Sequence, residues 1–279
     1  ARISAWADAC VVVAGLTHRQ EGEYMLPLPK RIKVGGDRED LRLPERWEEV
    51  ILAAARSNPR TVVVLMGGSA ITMERWIDEV PAVLMAWYPG MEGGWAVAEI
   101  LFGAVNPGGK LPFSIPRSEA DLPPFSAKVR SIRYEYLHGY RWLDSLGVPA
   151  RFPFGHGLSY TRFELRDARV VTGTTDGFSP VKVEIGLENL GGLPGDEVVQ
   201  VYVSAPGSRM ERPPKVLAAF RRVSLKPGEK LRLDLDIDPS RLSHFDPSRG
   251  EMVMEKTKYL VLVGSSSERL RKAGSFTVD

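Results

Sequence analysis

From Phe163 onward, apolar residues fall on every second position. Val181, Val183, Ile185 and Leu187 alternate with Lys182, Glu184 and Glu188; Val199, Val201 and Val203 repeat the pattern; Leu231, Leu233, Leu235 and Ile237 give its cleanest form. Side chains of a strand alternate between two faces, so this period predicts antiparallel strands with one face buried and one wet. Gly191-Gly192, Pro194-Gly195 and Pro227-Gly228 supply the turns between them. The expected unit is a β-sandwich of about 115 residues, spanning 163–279.

The first part of the chain has a different rhythm. Cys10 to Ala14 and Thr61 to Met66 are short β-branched apolar runs, the signature of strands buried on both faces. Between them Trp47, Val50, Ile51 and Ala54 recur at helical spacing, with Pro44 near the first turn and Asn58-Pro59 as the stop. Pro81 precedes a third strand, Ala82 to Trp87. Pro89-Gly90 then turns into a helix from Glu92 to Phe102, with Val97, Ile100 and Leu101 on one face. Alternating strand and helix predict an α/β domain with a mostly parallel sheet over residues 1–125, a sheet expected to lack its first strands. Residues 126–162 are expected to be a linker. The wider stretch 115–154, rich in proline and aromatics, reads as a long connection ordered by its contacts. The fold class is thus α/β followed by all-β.

Composition adds little to this and excludes more. Hydrophobic residues make up 43% and charged residues 26%, the balance of an ordinary globular domain. A net charge of +2 gives no argument for nucleic acid or a membrane surface as partner, and the apolar runs are far shorter than the roughly 20 residues of a spanning helix. The lone Cys10, beside Val11-Val12-Val13, reads as a small core residue. His18, His138, His156 and His244 are scattered without metal-ligand spacing, so neither a metal nor another cofactor is expected. Localisation stays open between cytoplasmic and secreted.

Candidate chemistry lies just past the first strand. Glu21-Gly22-Glu23 follows it in a loop, and Gly35-Gly36-Asp37-Arg38 comes some fourteen residues later. Loops beyond the carboxyl ends of parallel strands are where open α/β sheets bind ligands, and paired carboxylates are what glycosidic cleavage uses. Solvated loop charges explain the same residues. Asp37 and Arg38 either brace the loop as an ion pair or touch a sugar. His18 and Arg19 either tune the loop's acids or contribute plain loop polarity. Ser69 in Gly67-Gly68-Ser69 does not form a hydrolase nucleophile elbow, and Gly90-Met91-Glu92-Gly93-Gly94 fails the phosphate-loop patterns. Trp87, Tyr88 and Trp95 suit core packing better than stacking on a sugar ring. Tyr134, Tyr136, Tyr140 and Trp142 either rim a cleft or fasten the linker to the sandwich.

An ordered set of blocks carries a resemblance. Glu21-Gly22-Glu23-Tyr24-Met25, Gly35-Gly36-Asp37-Arg38 and Leu41-Arg42-Leu43-Pro44 resemble the acid/base loop of glycoside hydrolase family 3. Ala86-Trp87-Tyr88-Pro89-Gly90-Met91-Glu92-Gly93-Gly94 and Leu101-Phe102-Gly103-Ala104-Val105-Asn106-Pro107-Gly108-Gly109-Lys110-Leu111-Pro112 resemble later parts of the same domain. Phe152-Pro153-Phe154-Gly155-His156-Gly157-Leu158-Ser159-Tyr160 resembles the approach to the family's fibronectin-type-III-like domain. The resemblance covers nearly the whole chain. It implies Glu23 as general acid/base, with Glu21 as runner-up, and Asp37, Arg38, His18 and Arg19 as substrate-binding candidates. The family's nucleophile is an aspartate on an amino-terminal barrel. A barrel needs about 250 residues, for which this chain has no room. The expectation is therefore the carboxyl-terminal part of a retaining exo-β-glycosidase acting on terminal β-linked glucose or xylose. It would be inactive alone and partnered by the barrel portion. A non-catalytic sugar-binding or scaffold module is the competing expectation.

Overall fold

The computed structural model describes residues 2–22, 38, 40–126 and 129–278. The chain divides into two compact units: residues 1–102 with 115–135, and residues 103–114 with 136–279.

The first unit is built on three parallel strands in the order β1 (Cys10–Gly15), β2 (Thr61–Met66), β3 (Ala82–Met85). Cys10 pairs with Thr61 and Gly15 with Met66, while Val62 pairs with Ala82. The central β2 is buried along almost its whole length, as its Val-Val-Val-Leu run requires. β1 departs from expectation. Val12 and Ala14 are buried, but Val11 and Val13 are 49% and 50% exposed. β1 is an outer strand, and a continuous valine run looks the same whether one face or both are covered.

Three helices accompany the sheet: α1 (His18–Glu21), α2 (Glu45–Ser57) and α3 (Gly93–Leu101). Pro44 at the N-cap of α2 has φ −50°, which starts the helix without a donor to lose. The buried face of α2 carries Ile51, Ala54 and, unexpectedly, Glu48. Trp47 and Val50, expected on that face, are 37% and 42% exposed. Glu48 is tolerated inside because Arg42 donates to both its oxygens and Arg75 Nη1 lies 3.0 Å from Oε2. A buried carboxylate needs such partners.

The second unit opens with a helix where only connection was expected, α4 (Tyr140–Leu146), ended by Gly147 in the left-handed conformation at φ 66°. A residue with Cβ is strained there, so glycine fits this position. One three-stranded sheet follows the order β4 (Phe163–Val170), β6 (Val181–Asn189), β9 (Lys230–Ile237). A five-stranded sheet follows β5 (Thr174–Thr175), β13 (Leu270–Val278), β12 (Lys258–Gly264), β7 (Gly195–Ser204), β8 (Val216–Leu225). β10 (His244–Asp246) and β11 (Glu251–Val253) form a separate hairpin. The alternating residues of β6, β7 and β9 build the core with Val261, Val263 and Phe276; Tyr259 stacks on Phe276 at 5.2 Å. Burying each such side chain contributes about 1.5–3 kcal/mol.

Segment 103–114 belongs to this second unit through backbone pairing of Leu111 with Gly155 and His156, and through Asn106, which donates to Pro194 O and accepts from Ser159 and Tyr160. Tyr140 likewise fastens its segment to the sandwich: its ring stacks on Phe154, and its hydroxyl accepts from Leu217 N at 2.9 Å.

Candidate active site at the carboxyl ends of the parallel strands

β1 delivers Leu16 into the core, with its N–H donating to Met66 O at 2.8 Å. Thr17 then starts α1: its side chain accepts from Arg19 N, and Gln20 reaches back to Thr17 N in a capping box. This single turn of helix sets where Glu21 emerges.

The Glu21 carboxylate gathers donors from the loops after the other two strands. Past β2, Gly68 N donates to Oε2 at 2.7 Å and Ser69 Oγ to Oε1 at 2.5 Å. Past β3, the Tyr88 hydroxyl donates to Oε2. A fourth partner comes from further along the chain: Arg38 Nη1 lies 3.6 Å from Oε1 and also donates to Ser69 Oγ at 2.7 Å and Ala70 O at 2.8 Å. Arg38 Nε donates to Asp40 O at 3.0 Å. Both side chains of the Glu21–Arg38 pair are nearly enclosed, at 13% and 11% exposed.

Space at this point is tight. A Cβ on Gly68 would lie 3.2 Å from Tyr88 Cε2 and 3.4 Å from Glu21 Oε2, so a side chain here would press on both. Just before Tyr88, Trp87 has φ 56°, a left-handed conformation uncommon for a tryptophan. Such strain persists only where surrounding contacts hold it.

Electrostatics fix the protonation state. Partial burial alone would raise the Glu21 pKa. The hydrogen bonds from Ser69, Tyr88 and Gly68 and the charge of Arg38 outweigh it, and the carboxyl is held below its usual range. Tyr88 is pushed up to about 12 by desolvation and by its hydrogen bond to Glu21. Both Glu21 oxygens are hydrogen-bonded and its carboxyl is held below the usual range, which favours the ionised form and makes it a good anchor.

Of the site residues read from the sequence, Glu21 and Arg38 come together. Glu23 and Asp37 lie outside the described residues. His18 and Arg19 are exposed on α1 and make none of the hydrogen bonds at Glu21. Ser69 has no nucleophile elbow around it, and Tyr88 and Trp95 are residues expected in the core. Tyr88 and Trp95 are instead 54% and 73% exposed, and Ser69 and Tyr88 hold Glu21. Their positions just past β2 and β3, at the same sheet end as Glu21, were the available signal.

The base of the segment between Glu21 and Arg38 has further ties. Leu41 N donates to Glu119 Oε1 at 2.6 Å, and Arg42 reaches the buried Glu48 on α2. Among the described residues no group of three or more His, Cys, Asp or Glu side chains is placed to hold a metal ion.

Comparison with known proteins identifies the family and the fold. Residues 1–160 match the glycosyl hydrolase family 3 C-terminal domain, and residues 197–267 match a fibronectin type III-like domain. Beta-glucosidase BoGH3A of Bacteroides ovatus is 36% identical over 97% of this chain and 36% of its own length. The crystal structure of a beta-glucosidase from Kluyveromyces marxianus superposes with a TM-score of 0.88 at 35% identity, covering 100% of this chain and 32% of that one. A beta-glucosidase 3B from Thermotoga neapolitana, solved in complex with glucose, superposes at 0.83 with 31% identity over 99% of this chain and 38% of its own. The chain thus spans about a third of the length of the relatives it matches. Sequence blocks, fold and matches converge, and the chain belongs to glycoside hydrolase family 3.

Proposed function

We propose that this chain supplies the general acid/base to a retaining exo-β-glycosidase acting on terminal β-linked glucose or xylose, with Glu23 as the acid/base and the aspartate nucleophile on a barrel portion outside this sequence. The observation that carries the reading is the state of Glu21. Two carboxylates stand two residues apart, and one of them is ionised, enclosed and committed to four partners. A group so held does not donate a proton to a leaving oxygen. That leaves Glu23, which the covalent chain keeps within about 7 Å of Glu21. In sequence Glu23 follows β1 and α1, and segments past the ends of parallel strands are where such sheets meet ligands. Beta-glucosidases among the relatives support glucose as the sugar. In this division of labour the chain by itself lacks half of the catalytic pair and is inactive.

General acid catalysis matters most when the leaving group is a poor one. In the enzyme assembled with its barrel, Glu23→Ala is expected to slow hydrolysis of an alkyl β-glucoside by about 100- to 10,000-fold, while a dinitrophenyl β-glucoside is still cleaved to its glycosyl-enzyme at close to the native rate. Pre-steady-state release of dinitrophenol reads that step. Equal losses on the two substrates would remove Glu23 from the role. Hydrolysis of either substrate by the isolated chain would contradict the division of labour.

A further inference from the structure

We propose that Glu21, Ser69, Arg38 and Tyr88 form a positioning clamp for the catalytic acid, tying Glu21 and Arg38, which flank Glu23 in sequence, to the residues just past β2 and β3. The proposal rests on the assignment of Glu23 made above and adds to it the machinery that holds that residue.

Three observations carry it. First, Glu21 and Arg38 lie on either side of the segment that contains Glu23, and they meet at one side chain. Ser69 Oγ donates to Glu21 Oε1 at 2.5 Å and accepts from Arg38 Nη1 at 2.7 Å, so both roles of the hydroxyl are used and its orientation is fixed. Second, the donors come from rigid places. Gly68 and Ser69 follow β2 directly, Tyr88 follows β3, and Arg38 is braced by the backbone carbonyls of Ala70 and Asp40. A functional group is held best by side chains whose own positions are locked from a regular framework. Third, the means chosen is costly. An enclosed carboxylate and guanidinium stabilise a fold little better than apolar residues of the same size. What they add is direction, because each hydrogen bond fixes an angle as well as a distance. Glu21 is two residues from Glu23, so a displaced clamp displaces the acid, and an error of about 1 Å in a catalytic group can cost 100-fold.

The clamp therefore acts through Glu23 and should show the kinetic signature of Glu23. The test uses the assembled enzyme, with methyl β-glucoside and dinitrophenyl β-glucoside as the poor and good leaving groups. Glu21→Gln puts an amide donor where only acceptors fit, and kcat/KM on the methyl glucoside is expected to fall about 10- to 100-fold. On the dinitrophenyl glucoside the fall should stay below about 3-fold, since that leaving group needs no proton. Tyr88→Phe removes one donor and keeps the ring, so it guards against a variant that merely fails to fold. It should lose about 3- to 10-fold on the methyl glucoside alone. In a Glu23→Ala background either change should add almost nothing, because residues acting as one unit are not additive.

Equal losses on both substrates, full additivity with Glu23→Ala, or native kinetics in both variants would each overturn the clamp while leaving Glu23 in its role. An inactive native assembly, or a leaving-group dependence that follows Glu21→Ala and spares Glu23→Ala, would overturn the assignment of the acid and the clamp together.

Discussion

The two units use enclosed charge in different ways. In the second unit two enclosed pairs are one-to-one: Lys110 with Glu197 at 2.8 Å, and Lys215 with Asp144 at 2.6 Å. Each ties a peripheral piece, segment 103–114 or α4, to a strand or the loop before one. A third enclosed pair, Arg212 with Glu255 at 3.5 Å, also gathers Ser208 Oγ and Arg209 N, while exposed charges run along strand surfaces, as where Glu184 meets Arg169 and Arg232. In the first unit the Glu21 carboxylate draws partners from three separate stretches of chain, two of them directly past parallel strands. Pairing fastens a fold. Convergence marks a site, because it spends directional bonds on the placement of a loop rather than on the closure of a core.

Three experiments would break or sharpen that contrast, beginning with the largest effect. The sandwich stands on its apolar interior, so Ile185→Ala, at a position with no exposure, should cost about 2–5 kcal/mol in denaturant unfolding of the fragment 163–279. The same fragment should fold as a cooperative monomer. A non-cooperative transition in the unaltered fragment would show that α4 and segment 103–114 are part of the core rather than attachments to it.

Alkaline titration gives an intermediate effect. The folded pKa of Tyr88 is raised from the ordinary tyrosine range to about 12 by desolvation and its hydrogen bond to Glu21. A group raised in this way contributes stability that is present below the unfolded value and is lost as pH rises through the interval to the folded one. Glu21 behaves oppositely: its folded pKa is lowered, so its contribution is present above the ordinary carboxylate value and is lost as pH falls through the folded one. Burial also raises Tyr202 and Tyr259, so tyrosinate absorbance should show several late-titrating tyrosines, one fewer in Tyr88→Phe and one moved earlier in Glu21→Gln. A Tyr88 signal unmoved by Glu21→Gln would break the clamp's central hydrogen bond.

The smallest effect belongs to the surface ladders. Glu184→Ala removes two ion pairs to arginines that are more than 60% exposed. Exposed pairs contribute little, so the melting midpoint should stay where it was. A clear fall would mean that the ladder, rather than the core, sets the stability of that sheet.

What the sequence disclosed follows the range of the forces involved. Period-two alternation in β6 and β9 is local and strong, and it located the sandwich core. Even there Leu231, in step with the pattern, ends up 36% exposed near the start of its strand. The valine run of β1 announced a strand but not its half-exposed face. α4 was hidden because it spans only seven residues between two glycines whose left-handed role is invisible in composition. Nothing in the spacing of α2 marks Glu48 as buried, since its burial depends on Arg42 and Arg75 from elsewhere. The same reason hid the clamp. Glu21 was legible as a candidate from its neighbours, but its partners Ser69 and Tyr88 lie 48 and 67 residues away, and nothing local in either names a carboxylate as its target.

The central claim, that Glu21 anchors and Glu23 donates the proton, can be tested on one reaction product. In a retaining enzyme that has lost its acid/base, azide attacks the glycosyl-enzyme without needing a base and leaves a glycosyl azide of retained configuration. With dinitrophenyl β-glucoside and azide, the assembled Glu23→Ala enzyme should accumulate the β-glucosyl azide at a rate that rises with azide concentration, and the Glu21→Ala enzyme, which keeps a displaced acid/base, should give mainly glucose. β-Glucosyl azide from Glu21→Ala and none from Glu23→Ala would reverse the two roles and contradict the account.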